Sequence, residues 1–576
     1  MGAHQPHRGS EGLHLNGYVS VALIDPSLQH LDRPFTYAVA DGMSLARGSV
    51  VRVPFRGKRR IACVVDVMAE PDVDKTLPVH AVVGPGLPPD LVDLALWTAE
   101  RYLATPGEAL AAAIPARTAS EETNEPGSVG DSRRHAGSPE RGPIAEALRS
   151  GRHAGFLWRP ATDAARGEEI AAMAAAADGG VLVLVPEVRA RNDVQAALEE
   201  RFGDALAHLG SDRSQRERYR DWLALRAGVK RIAVGGRAAV FAPVADLGLI
   251  VIDDEGHSSY KEGRAPRFHA RTVAAERARR AGATLVLVGL PGSVEARAAT
   301  TKGPYRLVAP PRGSERTTRP PVTVVERAGE RLAPTGRTLT LAKRALAAGE
   351  RVVVLVHRGE ALTPIAERAL RVLEPSSHAI CSATTPATEL RRAARSATVV
   401  VATPVVAKDL PFTGRALLVI CEADAALAQP EFRAPEDAFS TWWRAARWAS
   451  HVCLETDDPD QPAIRALVRW DPEVLVHAEL ARREELSYPP FAALARIDVP
   501  ADRAEAVATE LREAEAGIEV LGPVERAERW FVVARAPKRR TLLDALGPFV
   551  SRWRADDAPM RVDVDPWEVL ATRWRS

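Results

Sequence analysis

Asp253-Asp254-Glu255-Gly256-His257 follows an apolar run at 249–252, so adjacent carboxylates stand where a strand is expected to end. Open α/β sheets bind ligands at the carboxyl ends of their strands. An acid pair there holds Mg²⁺ and orients a water against a phosphate, although acidic strand ends also occur without a metal. Phosphate chemistry further needs a glycine-rich loop whose N–H groups close on the phosphates, a Lys for their charge and a Ser or Thr hydroxyl for the metal. The turn between Arg159 and Gly167 reads Arg-Pro-Ala-Thr-Asp-Ala-Ala-Arg-Gly and supplies none of these. Side chains at Thr162, Asp163 and Ala164 would fill the space that glycines leave open. A carboxylate about 4 to 5 Å from a triphosphate costs on the order of several kcal/mol at an effective dielectric near 20. No catalytic residue, nucleotide site or cofactor is therefore expected, and Asp253, Asp254 and Glu255 read as vestigial.

Two basic clusters point to nucleic acid instead. Arg52, Arg56, Lys58, Arg59 and Arg60 put five positive charges into nine residues with no acid among them, beside Phe35, Thr36, Tyr37 and Phe55. Such a surface offers phosphate contacts and aromatic faces for an unstacked base; the bland alternative is a solvated basic hairpin. Arg526, Arg529, Trp530, Arg535, Lys538, Arg539 and Arg540 form the second cluster, for which a charged helix start is the bland reading. Trp442, Trp443 and Trp448, at i, i+1 and i+6, do not share a helical stripe and read as core or lobe-interface residues.

The elements that position these groups fall into four blocks. Runs at 19–24, 35–37, 49–54 and 61–67, separated by turn residues, predict a β-rich domain closed by a helix at about 89–103. Residues 118–142 are Ser-, Glu-, Gly-, Pro- and Arg-rich and predict a flexible linker. Continuous apolar runs alternating with helical segments follow at 181–185, 231–234, 249–253 and 284–288, and again at 351–356, 398–401, 416–420 and 451–454. Strands of that kind are buried on both faces of a parallel sheet, so two tandem α/β lobes are expected. The last hundred residues return to α+β character, with strands at 494–499, 530–534 and 560–564.

Composition agrees with a multidomain globular protein: 576 residues, 46% hydrophobic and a formal net charge of +2. Four widely spaced cysteines without CxxC or zinc spacing read as reduced core thiols. No window approaches 18 uninterrupted apolar residues and the first 16 residues lack a signal's apolar run, so a cytoplasmic chain without membrane contact is expected.

The stretch 247–271, LGLIVIDDEGHSSYKEGRAPRFHAR, resembles the bacterial primosomal replication-restart family PriA. There a DEEH-type box precedes SSYK and HAR segments, matched by Asp253, Glu255, Ser258, Ser259, Tyr260, Lys261, His269, Ala270 and Arg271. Val185-Pro186-Glu187-Val188, Ala407-Lys408 to Phe412, and Leu521-Gly522-Pro523-Val524 agree in order and spacing, and 34–37 and 51–55 resemble that family's domain for the 3′ end of a DNA strand. The resemblance runs from about residue 17 to 570. The chain departs at the phosphate loop, at Gly289-Leu290-Pro291-Gly292, at 444–451 where an arginine-finger pattern is lost, at an absent eight-cysteine zinc insertion, and at Thr36 and His80.

The resemblance implies a β-rich 3′-DNA-binding domain (17–117) after a disordered start (1–16) and before the flexible linker (118–142). It further implies degenerate RecA-like lobes at 143–330 and 331–476, and an α+β domain for DNA and partner proteins at 477–576. Expected DNA contacts are Phe35, Thr36, Tyr37, Arg52, Arg56, Lys58, Arg59, Arg60, Arg529, Trp530, Lys538, Arg539 and Arg540. The expected role is binding of forks and 3′ ends in replication restart, with primosome partners, as a monomer, without helicase activity, zinc or another metal. Two other readings stay open: an ATP- and Mg²⁺-dependent 3′–5′ helicase using Arg166, Asp253 and Asp254, and a metal-dependent nuclease built on Asp253, Asp254, Glu255 and His257.

Overall fold

The computed structural model describes residues 17–24, 28, 31–122, 142–161, 165–187, 192–311, 313, 319–330, 332–404, 415–514, 517–526, 528–556 and 558–570. The expectations for 1–16, for Thr162, Asp163 and Ala164, for Ala407-Lys408 to Phe412 and for most of 118–142 lie outside them.

The front domain is a six-stranded sheet made of β1 (Tyr18–Leu23), β2 (Phe35–Ala38), β3 (Val50–Phe55), β4 (Lys58–Met68), β5 (Leu77–Pro78) and β6 (Ala81–Val82), in the order β5-β2-β1-β4-β3-β6. The β3–β4 hairpin turns on Arg56 (φ 48°) and Gly57 (φ 74°), both left-handed, as a two-residue turn matched to strand twist requires. The sheet curls until Phe35 of β2 and Phe55 of β3 meet edge to face at 5.1 Å. Helix Pro89–Arg101 buries Leu91, Leu94, Ala95 and Thr98, and so closes the domain as the apolar spacing predicts.

The first lobe holds β7 (Gly155–Trp158), β8 (Gly180–Leu184), β9 (Leu206–His208), β10 (Ile232–Gly235), β11 (Leu247–Ile252), β12 (Thr284–Val288) and β13 (Tyr305–Val308), in the order β13-β7-β12-β11-β8-β10-β9. Every pairing in it is parallel. The second lobe holds β14 (Val322–Glu326), β15 (Arg351–Val356), β16 (His378–Cys381), β17 (Val399–Ala402), β18 (Ala416–Cys421) and β19 (His451–Thr456), in the order β14-β19-β18-β15-β17-β16, also parallel. The last domain pairs β20 (Ala493–Val499), β21 (Glu519–Arg526), β22 (Arg529–Ala536) and β23 (Arg561–Val564) antiparallel, in the order β21-β22-β20-β23.

Two expectations are corrected. β14 hydrogen-bonds along β19, so the boundary expected at 330/331 falls between β13 and β14; only Val325 of β14 is buried, so it lacks the continuous apolar run of the central strands. Residues 118–122 are not free linker: Glu121 is buried under Arg216 and Arg220, and Glu122 accepts from Arg117 and Tyr219. Phe156, Leu157 and Trp158 are strand β7, buried between β12 and β13. The four cysteines and Trp442 and Trp443 lie in the core, as expected.

Candidate functional site

The carboxyl edge of the first sheet ends in the acidic run, and each acid meets an arginine. Asp253 leaves β11 fully buried, and its Oδ1 lies 3.1 Å from Nε of Arg166, the first residue of helix Arg166–Ala176 that follows β7. Burial pushes the Asp253 carboxyl up to about 6, outweighing the downward pull of Arg166 and of the Asn192 side chain. A carboxylate 3 Å from a guanidinium would ordinarily fall; here the loss of water is the larger effect.

Asp254 has φ 52°, in the left-handed region that Asp tolerates better than most side chains. Its carboxylate is turned away from the first sheet and onto Arg444 of helix Ala434–Ala446 in the second lobe. Nε and Nη2 of Arg444 donate to Oδ2 and Oδ1 at 2.7 and 2.6 Å, a bidentate pair with both side chains buried. Glu255, with no exposed surface, accepts from Nη1 of Arg271, the N–H of Ser293 at 2.6 Å and the Ser293 hydroxyl at 2.9 Å. His257 turns its Nδ1 to the Ser259 hydroxyl, at 2.8 Å.

The pairing continues along the face between the lobes. Glu436 of the second lobe accepts the N–H of Val294 at the start of helix Val294–Lys302, at 3.0 Å, and Nη2 of Arg483 at 2.6 Å. Glu295 lies 2.5 Å from Arg433 and 3.2 Å from Arg483. Burial alone would raise the Glu295 carboxyl, but the two guanidiniums hold it well below the usual carboxylate range. Glu473, in helix Pro472–Glu485, takes Arg297 at 2.9 Å and Arg159 at 3.8 Å.

This donor set does not fit a magnesium nucleotide. A hard cation needs carboxylate oxygens turned toward a common open point, whereas those of Asp253, Asp254 and Glu255 face three different guanidiniums. Among the described residues no group of three or more His, Cys, Asp or Glu side chains is placed to hold a metal ion. Arg444 is the partner that sequence reasoning missed: it lies 190 positions from Asp254, and the segment holding it had been singled out only for a pattern it lacks.

The basic front hairpin is open to solvent. Arg56, Lys58 and Arg59 are exposed around the turn, and Arg52 and Arg60 are half-buried on the two strands behind it. Arg33 sits 5.7 Å from the Phe35 ring and Arg56 5.5 Å from the Phe55 ring, so the edge-to-face pair carries a cation on each side. Thr36 donates its hydroxyl to Asp72. Tyr37 departs from expectation: it faces the domain core and donates to the Pro54 carbonyl at 2.9 Å, which withdraws its ring from any base. Alternation along β2 explains this, because residue 37 must face inward where residue 36 faces out.

In the last domain Arg526, Arg529 and Lys538 are exposed and Trp530 is half-buried. Arg539 is instead half-buried and paired with Asp565; burial opposes the Asp565 charge, but Arg539 holds its carboxyl below the ordinary value. Arg540 is exposed and pairs with Asp544 one turn on, at 2.8 Å. The SSYK and HAR segments have a further structural use. Lys261 lies 2.7 Å from buried Asp563 and donates to the Val564 carbonyl at 2.8 Å. His269 gives its N–H to the Tyr102 hydroxyl at 3.1 Å. Front domain, first lobe and last domain therefore meet at Lys261 and His269.

Comparison with known proteins follows the same division. The model for a PriA 3′DNA-binding domain matches residues 20–115, and the model for the primosomal protein N C-terminal domain matches 484–567. A probable replication restart protein PriA of Mycobacterium tuberculosis (strain H37Rv) is 29% identical over 589 residues, covering 87% of this chain and 90% of that protein. The Treponema pallidum replication restart protein PriA is 27% identical, with 83% and 87% covered, and that of Bacillus subtilis 26%, with 62% and 54% covered. With PriA models matching both end domains and PriA relatives aligned through the two lobes between them, the chain is a PriA-type protein.

Proposed function

We propose that this chain binds branched or 3′-ended DNA in replication restart and primosome assembly, with its two lobes serving as a scaffold that does not hydrolyse nucleotide. The observation that carries the DNA-binding reading is the coincidence, within the residues matched to a 3′DNA-binding domain, of an exposed Arg56-Lys58-Arg59 turn with the cation-flanked Phe35–Phe55 pair. Guanidinium and ammonium groups take the phosphates, and the half-buried Phe35 and Phe55 rings, packed on the rim of the domain core, offer the aromatic surface for an unstacked terminal base. The scaffold reading is supported by the matching of Asp253, Asp254 and Glu255 to Arg166, Arg444 and Arg271. Exposed Arg529 and Lys538, with Trp530, extend the reading to the last domain; Arg539 is left out.

Affinity for forks with and without a free 3′ end, measured with ATP omitted, tests the DNA reading; equal affinity for the two would overturn it. An ATPase assay on the same forks tests the scaffold, and turnover abolished by Asp253→Ala would sink it. The opposed parallel-sheet lobes favour one competing reading, a 3′–5′ helicase that binds ATP through Arg166, Asp253 and Asp254. That reading requires micromolar ATP binding in a calorimetric titration with Mg²⁺, and a titration without heat removes it.

A further inference from the structure

A cavity of about 340 Å³ lies where front domain, first lobe and last domain meet. Its polar lining is Tyr102, Glu108 and three arginines, Arg267, Arg554 and Arg561; its apolar lining includes Trp553 and Met560. Glu108 is committed to a helix cap, accepting the N–H of Thr105 at 2.8 Å. Arg554 gives one N–H to the Leu103 carbonyl, leaving most of its five donors for other partners. Burial lowers the Arg554 pKa against the upward pull of Glu108 and Asp32, and Arg267 adds a smaller downward push, so the two guanidiniums stand close enough to repel. No carboxylate among the described residues lies within 4 Å of Arg554 or Arg561, and Arg561 is exposed at the first position of β23. Like charges drawn together over an apolar wall create a site that an anion relieves.

A second, larger concavity of about 990 Å³, between helix Pro89–Arg101 and the amino-terminal edge of the first sheet, does not have this character. Its arginines are already spoken for. Arg279 and Arg280 lie 2.8 and 2.7 Å from Glu276, Arg277 donates to the Val240 and Ala242 carbonyls at 2.6 Å, and Arg226 donates to the Gly86 carbonyl at 2.5 Å.

We propose that the three-domain cavity binds a phosphate monoester carried on a nucleoside, the chemistry of the 5′-terminal nucleotide of a DNA strand. Charge selects phosphate, because three guanidiniums outnumber the Glu108 and Asp32 carboxylates near them and fork onto phosphate oxygens. Volume selects a single nucleotide, because 340 Å³ is at the lower end of small-ligand pockets, and the rest of the strand has to leave from its 3′ side. The apolar wall selects a base-bearing ligand over inorganic phosphate. This inference rests on the DNA-binding reading, and it adds a 5′ site to the front hairpin expected to take 3′ ends.

The test uses the full chain and forks that differ only in a 5′-phosphate or 5′-hydroxyl at the free arm, alongside deoxyadenosine 5′-monophosphate and inorganic phosphate in separate titrations. A 5′-phosphate is expected to strengthen fork binding roughly tenfold, the scale of one or two charge-assisted hydrogen bonds. Arg561→Ala, at an exposed position, is expected to erase that gain, while the hydroxyl fork and the Lys58→Ala/Arg59→Ala hairpin variant keep their own behaviour. Saturable binding of the mononucleotide, abolished by Arg561→Ala, with no preference between forks would assign the same chemistry to a free nucleotide. Binding of inorganic phosphate as tight as the mononucleotide, or fork binding indifferent to both the 5′ group and Arg561, overturns the inference while leaving the DNA-binding reading intact. Failure to bind any fork would instead overturn that reading.

Discussion

Asp254 and Arg444 are 190 positions apart and joined by two hydrogen bonds of 2.6 and 2.7 Å, one side chain from each lobe and both out of water. A motor that opens and closes around nucleotide needs its lobes free to part. This pair, with the Glu436–Val294 and Glu295–Arg433–Arg483 contacts beside it, links the facing surfaces of the lobes.

Removing one partner leaves a buried charge without its counterion, which costs about 3–5 kcal/mol, whereas replacing both by neutral groups of similar size costs far less. Arg444→Ala is therefore expected to lower stability by that amount in urea unfolding. Arg444→Met combined with Asp254→Asn, which keeps a residue tolerant of the left-handed φ, is expected to recover most of it. Additive single and double losses would contradict the pairing.

Asp253 gives a pH signature. Its carboxyl is raised by burial to about 6, against about 3.9 in an unfolded chain, so between those values the native state holds a proton that the unfolded chain has released. The stabilisation is complete below about pH 4 and is lost as pH rises through 6, by up to roughly 3 kcal/mol. Asp253→Asn is expected to flatten that part of the stability profile, with Arg166, Asn192, Asp254 and Arg447 as the surrounding groups. A profile between pH 4 and 7 that is the same for both proteins would count against the burial argument.

In the front hairpin, Lys58→Ala and Arg59→Ala are each expected to lower fork affinity and to reduce the log–log salt slope by about one unit. Phe55→Ala is expected to cost about 1–3 kcal/mol of binding through lost stacking, with little change in slope. Fluorescence anisotropy across a salt series separates the two effects, and identical slope changes for Phe55 and Arg59 variants would be the contrary result.

Lys261→Ala strands Asp563, whose carboxyl burial has already raised despite the opposing pull of Lys261. The expected cost is about 3–5 kcal/mol. Because the pair joins the first lobe to the last domain, the loss should appear first as proteolysis near the 486–492 connection, with later loss of secondary structure. Uniform destabilisation with no early cleavage would remove the junction role.

The sequence by itself was enough for the architecture. Runs such as 181–185 and 351–356 can be buried only between parallel neighbours, and the alternation around 50–67 with Arg56-Gly57 between its halves specifies a hairpin, because local backbone preference and apolar period act over a few residues. The acidic run and both basic clusters were legible for the same reason. Weaker strands were not: β9 is only three residues long and β14 is mostly half-buried, so neither stands out until a neighbouring strand claims it. Tertiary structure alone decided which charges remain available. Arg444 closing on Asp254, Arg166 on Asp253 and Arg539 on Asp565 are contacts across 26 to 190 positions or across separate elements, set by how domains dock rather than by sequence spacing. Charge on a side chain is a property of the residue, but whether water, DNA or another side chain neutralises it is settled by the fold.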